Sequence, residues 1–202
     1  MRELRTINLV FSLDEDTWSV RSPQLPGLLG VRDNRPELAA AVPDLLAFAG
    51  VDPATVTIRN HSEQAITIGD SDVVIRVASD EHADEREQVA RRIRAALEVP
   101  NERDEILAAP HTSIGEVLFI CAVASDPIGR VRDQLQPTGD TAIVALRLAD
   151  EILWTTHIGV GSRARDWHPV EYYGFTTDAT LGEFMRARTF GNQPPRVAVA
   201  AA

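Results

Sequence analysis

Lysine, cysteine and long apolar runs are all scarce in this chain of 202 residues. All twenty basic residues are arginine, which we attribute to the codon bias of a GC-rich genome. Cys121 is the only cysteine, so an intramolecular disulfide is excluded, and its apolar neighbours predict a small buried side chain in a reducing compartment. No run approaches the roughly 18 apolar residues of a membrane span, and the N-terminus lacks a signal peptide's apolar region. The sequence therefore predicts a cytoplasmic protein without a membrane partner.

Positive charge is also in short supply. Thirty acidic side chains oppose twenty basic ones, which gives a formal net charge of −10. Such a surface repels phosphate backbones and disfavours a nucleic-acid partner, whereas it would steer a basic protein towards the chain. The apolar share of 44% and the charged share of 25% are typical of a folded protein.

The first sixty residues predict a β-β-β-α unit. Apolar and polar side chains alternate along the first strand, as in a half-buried strand, and an acidic turn, Asp14-Glu15-Asp16, follows it. Asn34 is suited to cap the helix, whereas Pro43 is a misfit in its interior. The predicted elements are strands over 6–13, 17–21 and 28–32 and a helix over 35–49.

The segment between the second and third strands has the most specific pattern in the chain. A hairpin whose second strand carries an aromatic residue and runs into Pro-x-Leu-Pro-Gly, followed by a strand and an amphipathic helix, resembles the HicB-like antitoxin domain. The resemblance covers the first quarter of the chain. The residues that carry it are Trp18, Val20, Pro23, Leu25, Pro26 and Gly27.

This resemblance implies a protein-binding surface along those six residues, beside an exposed strand that could pair with a partner. The chain departs from the family pattern because it has no glycine in the hairpin turn, no Glu-Glu-Ala start to the helix and a proline, Pro43, inside the helix. The DNA-binding module that the family usually adds, a helix-turn-helix or ribbon-helix-helix, is not recognisable in the sequence either. We therefore expect protein binding rather than operator binding.

The rest of the chain predicts a second mixed α/β domain over 70–190, so the expected fold class is α+β with two domains, the first spanning 1–60. Residues 60–72 are polar and predict a boundary or a hairpin connection. Ser79 is expected to cap a helix in which Glu87 pairs with Arg91. The other predicted elements are strands at 55–59 and 73–77, a strand at 117–124 buried on both faces, an antiparallel hairpin of 141–149 with 152–160, and a flexible tail over 191–202.

An enzymatic alternative arises from two histidines. His111-Thr112-Ser113-Ile114 and His157-Ile158-Gly159-Val160 resemble the paired tetrapeptides of 2H phosphoesterases, in which each imidazole is a general acid or base. The resemblance implies that His111, Ser113 and His157 are catalytic, although Gly159 stands where a hydroxyl is required. The five histidines show no close metal-ligand spacing, so no metal is expected, and no motif predicts a cofactor.

Taken together, the sequence predicts a non-catalytic protein-binding module that acts on a protein partner, with a basic protein favoured by the charge. It would be an antitoxin-like neutraliser, as in a toxin-antitoxin system, or a regulatory adaptor. The alternatives are a 2H-type phosphoesterase and a phage or prophage accessory protein that inhibits a host protein. The oligomeric state, including a homo-oligomer, is left open.

Overall fold

The computed structural model describes residues 6–69, 71–103, 117–132, 141–148, 151–158, 174–187 and 196–199. These residues form a mixed α/β structure with one nine-stranded sheet and few helices. The strands are β1 Thr6–Asp14, β2 Thr17–Arg21, β3 Leu29–Arg32, β4 Thr57–Ile68, β5 Ser71–Ser79, β6 Val117–Cys121, β7 Thr141–Leu148, β8 Glu151–Ile158 and β9 Arg196–Val199. The helices are α1 Arg35–Phe48, α2 Ala83–Glu98, α3 Ile128–Arg132 and α4 Leu181–Ala187, with a short 3₁₀ turn at Pro53–Thr55.

The sheet has the order β3-β2-β1-β4-β5-β6-β8-β7-β9. β1 runs parallel to β4 and β5 runs parallel to β6, whereas the other neighbours are antiparallel, so the sheet is mixed. Because β4 pairs with β1 on one side and with β5 on the other, the sheet is continuous across the expected domain boundary. The division into two domains stays a prediction.

The first helix forms where its signals predict. The Asn34 side chain accepts a hydrogen bond from the backbone N–H of Glu37 at 2.9 Å, which satisfies one of the N–H groups left open at the start of a helix. α1 continues through Pro43. Its apolar residues pack on β1 and β2 in a first core cluster. The cluster's buried members are Ile7, Leu9, Phe11, Val20, Leu28, Leu38, Val42 and Leu46.

The polar segment after residue 56 is mostly strand, and this differs from the sequence prediction. β4 extends to Ile68, well beyond the strand predicted at 55–59. It pairs antiparallel with β5 as far as Ile68 with Ser71, and Gly69 in the connection has a φ of +58°, a backbone conformation that favours glycine. Of the two interpretations of this segment, the hairpin is the one observed.

The middle of the sheet is buried on both faces, as predicted for the apolar run at β6. Phe119 and Cys121 pack with α2, whereas Leu118 and Ile120 pack with α3 and α4. α2 buries the predicted stripe of Val89, Ile93 and Leu97.

Two details of α2 were predicted wrongly. The helix begins at Ala83 with His82, not Ser79, at the N-cap position, and Asp80 accepts from the backbone N–H of His82 at 3.0 Å. Glu87 pairs with Arg94 at 3.1 Å, whereas the Arg91 side chain lies near the Glu87 carbonyl.

Both helices α1 and α2 cover the same face of the sheet. Side chains two residues apart along a strand share a face, and Ile58 and Ile66 of β4 contact the α1 cluster and the α2 cluster respectively. The opposite face therefore carries Asn8, His61 and Arg76, which are buried polar side chains. The predicted half-buried first strand is thus buried on both faces.

The predicted C-terminal hairpin is present as β7 paired with β8. Within the segment expected to be a tail, β9 pairs antiparallel with β7. No helix in the described part of the chain is long and apolar enough to cross a membrane.

Candidate functional site

The outer strand β3 is the structure's best candidate for a binding surface. It pairs with β2 through Ser19 with Val31 and Arg21 with Leu29, and among the described residues no strand pairs with its other side. An unpaired strand edge presents backbone N–H and C=O groups to which a further strand can bond. Beside this edge, Arg32 folds back and donates to the Val31 carbonyl at 2.6 Å.

Two apolar side chains project from this strand into solvent. Leu29 is 66% exposed and Val31 is 45% exposed. They lie on the face away from α1, because Gly30 between them faces the helix: a Cβ at Gly30 would lie 2.5 Å from Leu45 Cδ1. The edge therefore combines open backbone groups with an apolar pair at alternate positions, which is what an added strand needs for affinity and specificity.

The six residues that the family resemblance assigned to binding differ in exposure: two are buried, two are half-buried and two are exposed. Val20 and Pro23 are buried, and Trp18 and Leu25 pack partly buried against the α1 cluster. Pro26 and Gly27 are exposed, and they form a turn that is closed by a hydrogen bond of 2.8 Å from the Leu28 N–H to the Leu25 carbonyl. Four of these residues thus pack behind the outer strand, whereas Leu29 and Val31, which the sequence interpretation did not select, are exposed on it. The binding role of the six residues stays a prediction.

Trp18 is held in place by its neighbours. The guanidinium of Arg35 lies 5.5 Å from the ring centroids of both Trp18 and Phe11. This distance is within the range of a cation–π interaction. α1 is therefore tied through its first residue to the strands that carry the edge.

The Pro-rich loop is tied to β1 by Gln24. The pairing of β1 with β2 begins at Val10, which lies opposite Arg21. Asn8 precedes this pairing, so its N–H has no acceptor in β2. The Gln24 Oε1 accepts from this N–H at 3.1 Å and from the Ser22 hydroxyl at 3.3 Å. Gln24 and Asn8 are sixteen residues apart in the chain, and no local sequence pattern indicates that a loop glutamine will bond to this strand.

A buried ionic cluster lies on the sheet face away from α1. Arg76 of β5 is 1% exposed and donates through Nε and Nη2 to Glu63 Oε2 at 2.9 and 2.6 Å. The other oxygen of Glu63 accepts from Arg21 at 2.6 Å and from the Ser12 hydroxyl at 3.3 Å. One carboxylate thus joins β1, β2, β4 and β5.

A second cluster lies where β5 and β6 end. Arg86 of α2 is fully buried and pairs with Asp80 and Asp126. Arg130 of α3 pairs with the same two carboxylates, at 3.3 Å to Asp126. Asp126 also accepts from the Val123 N–H at 2.9 Å. Because each charge faces an opposite one, this arrangement acts as a structural lock between α2 and α3 rather than as an open ligand site.

His61 is enclosed between the two clusters. Its Nε2 lies 2.9 Å from the Asn8 Oδ1, which can only accept, so we assign the proton of the neutral ring to Nε2. Burial lowers the pKa of His61 to about 3, and the charges of Arg76, Arg130, Arg59 and Arg86 add to this effect. The ring is neutral at physiological pH and holds β1 to β4.

The residues of the phosphoesterase alternative are only partly within the described residues. His111 and Ser113 lie outside them, and His157 is a backbone partner of Ala142 in the β7–β8 hairpin. The alternative stays a prediction. His111→Ala and His157→Ala variants, assayed on a 2′,3′-cyclic phosphodiester, test it directly.

The described region contains neither a reactive cysteine nor a group of metal ligands. Burial raises the pKa of the Cys121 thiol to about 12, so it packs as a small apolar side chain, as predicted. Within the described ranges, no three His, Cys, Asp or Glu side chains are grouped so that they could hold a metal ion.

Comparison with known proteins adds no assignment. No family model, no curated protein and no solved structure matches the chain. The resemblance to HicB-like antitoxins stays a prediction.

Proposed function

We propose that this protein is a non-catalytic protein-binding module that takes an extended segment of a partner protein onto the outer edge of β3. The single observation that carries the proposal is the exposure of Leu29 and Val31 on a strand with an open side. Main-chain hydrogen bonds would provide affinity, and the two apolar side chains would select alternate residues of the partner.

The way this edge is built supports a recognition role. Solvent-exposed edges are normally protected by charge, proline or a covering element, because they otherwise promote aggregation. Arg32 is the only charged residue of β3, at its end, and Leu29 and Val31 are left uncovered among the described residues. A surface that carries this liability is best explained by a partner that covers it.

The family resemblance favours one kind of module. A hairpin, a third strand and an amphipathic helix follow one another as β1, β2, β3 and α1, the order that the resemblance to HicB-like antitoxins implies. The proposed roles are accordingly an antitoxin-like neutraliser of a basic toxin or a regulatory adaptor. A phage or prophage protein that inhibits a host protein would use the same edge.

The proposal is tested by affinity capture from lysate of the native cell with three forms of the tagged full chain. Leu29→Lys/Val31→Lys places charge on the edge without touching the core, since both side chains are exposed. Phe48→Lys is the matched control, because Phe48 is an apolar side chain on α1 that is 94% exposed. Thermal melts of all three forms establish that they are folded.

We expect a stoichiometric partner that is retained by the wild type and by Phe48→Lys and is lost with the edge variant. Recovery of the same partner by the edge variant would show that β3 is not the binding surface. Failure of the folded wild type to retain any partner would also count against a binding module.

A further inference from the structure

The charges around β3 are distributed unevenly from one end to the other. The register places Trp18 opposite Arg32 and Asp14 opposite Thr17, so the turn between β1 and β2 lies at the end of the edge where β3 meets α1. The exposed carboxylates at this end belong to Asp14, Glu15, Asp16, Asp33 and Glu37.

Among the described residues, Arg32 and Arg35 lie at the same end, so two positive charges offset part of the five negative ones and a local negative excess is left. Arg32 donates to the Val31 carbonyl, and Arg35 lies over the rings of Phe11 and Trp18. At the opposite end, the segment from Ser22 to Leu29 has no charged residue, and the neighbouring Arg21, which lies opposite Leu29, is paired with Glu63. The edge is therefore apolar at one end and negative at the other.

We infer that the segment bound by β3 is polarised in the same way: apolar side chains at alternate positions, followed at one end by a cluster of Arg or Lys. This inference rests on the proposed function and specifies its partner. A chain with net charge −10 attracts cations in general, but only a local excess at one end of the edge selects where along the bound segment the cations lie. Once bound, the apolar half would cover Leu29 and Val31 while the basic residues face the acidic end.

A random library of displayed ten-residue peptides, selected on the immobilised full-length protein, tests this inference. We expect enriched peptides with alternating apolar residues and two or more Arg or Lys clustered at one end. A synthetic copy of an enriched peptide should bind the wild type and fail to bind Leu29→Lys/Val31→Lys.

Charge variants provide the second arm. Changing Asp14, Asp16 and Asp33 to Asn and Glu15 to Gln should weaken binding of that peptide by about tenfold, since exposed ion pairs are individually weak and add up over four sites. The matched control changes four exposed acids on and beside α2, Glu81, Asp84, Glu85 and Glu98, to their amides and should leave the affinity within about twofold.

The outcomes separate the two levels of the proposal. Edge-dependent peptides without clustered cations, or equal loss of affinity in both sets of acid variants, would overturn the inferred polarity while strand addition at β3 stands. A library that yields no peptide dependent on Leu29 and Val31 would overturn the proposed function itself.

Discussion

The two faces of the N-terminal strands are built on opposite principles. Towards α1, β1 presents Ile7, Leu9 and Phe11 to a purely apolar cluster. Towards the other side, β1 presents buried Val10 together with Asn8, which is equally buried but is bonded to His61. The charge of Arg76, which pairs with Glu63, acts on the same imidazole. A period of two therefore identifies which residues share a face, but it does not tell whether the polar face is exposed to water.

The two faces should therefore differ in how much stability is lost when one side chain is substituted. An apolar contact that is lost costs the transfer free energy of the removed atoms plus a cavity term. A buried ion that loses its partner keeps its whole desolvation penalty, and this penalty is larger. The ionic face should thus be intolerant of single substitutions even though it contributes little net stability when intact.

The largest effect is expected from Asp126→Ala. Arg86 is 0% exposed and would lose a buried partner, and the Val123 N–H would lose its acceptor. We expect a loss of about 3–5 kcal/mol in the free energy of unfolding, measured by urea denaturation. Asp44→Ala, at an exposed position on α1, is the control and should change stability by less than about 0.5 kcal/mol. A loss below about 1 kcal/mol in Asp126→Ala would mean that Arg86 is rehydrated, and removal of a buried ionic partner would not be the more costly kind of loss.

The second prediction probes the ionic face through pH. His61 in the folded chain has a pKa of about 3 against 6.5 for the free side chain, so the unfolded chain binds a proton first as the pH falls. The stability associated with neutral His61 is complete above pH 6.5 and is lost towards pH 3. Between pH 7 and pH 5 this one group should cost about 2 kcal/mol.

The measurement compares urea denaturation of the wild type and His61→Gln at pH 7 and pH 5. Glutamine keeps a donor for Asn8 but does not titrate, so the variant should lack this part of the pH dependence. A long-range nitrogen correlation spectrum at pH 5 should show a neutral ring protonated at Nε2. A charged ring at pH 5 would contradict the buried placement of His61.

The third prediction concerns the apolar face at the outer strand. A Cβ at Gly30 would meet Leu45 Cδ1 at 2.5 Å and Val20 Cγ1 at 3.0 Å. Leu45 is half-buried and can give way in part, so Gly30→Ala should cost about 1–2 kcal/mol by overpacking. Gly27→Ala is the matched control, because nothing lies within 4 Å of its Cβ position and its φ is not positive. Equal thermal stability of the two variants would show that α1 does not pack closely on β3.

Local signals carried most of what the sequence could predict. The capped helix α1, the hairpin of β1 with β2 and the buried strand β6 each depend on residues close together in the chain. The length of β4 was missed because His61 and Glu63 look like loop residues, whereas their partners, Asn8 and Arg76, satisfy them inside the fold. Polar side chains conceal a buried strand whenever long-range partners replace water.

The sequence and the structure draw attention to neighbouring segments as the proposed binding edge. The resemblance pointed to the stretch from Trp18 to Gly27, of which most residues are buried or half-buried, whereas Leu29 and Val31 of the following strand are exposed. Gly30 of β3 faces α1, so its neighbours Leu29 and Val31 point to the other face and are exposed. This orientation depends on where α1 packs. No local pattern contains that information.

The smallest effect is expected for the ion pair of Glu87 with Arg94 on α2, which is partly exposed and is not part of a larger ionic cluster. The two side chains are 3.1 Å apart and partly exposed, so water already solvates them and little is gained by pairing. A double-mutant cycle with Glu87→Ala and Arg94→Ala should give a coupling free energy of about 0.2–1 kcal/mol, reduced by salt. Arg91, which is also exposed, serves as the comparison. The cycle of Glu87 with Arg91 should give the smaller coupling free energy, although a spacing of four residues is the one that usually favours an ion pair on a helix. A coupling above about 2 kcal/mol for Glu87 with Arg94 would mean that this exposed pair behaves like the buried ones, and burial would no longer explain the sensitivity of the ionic face.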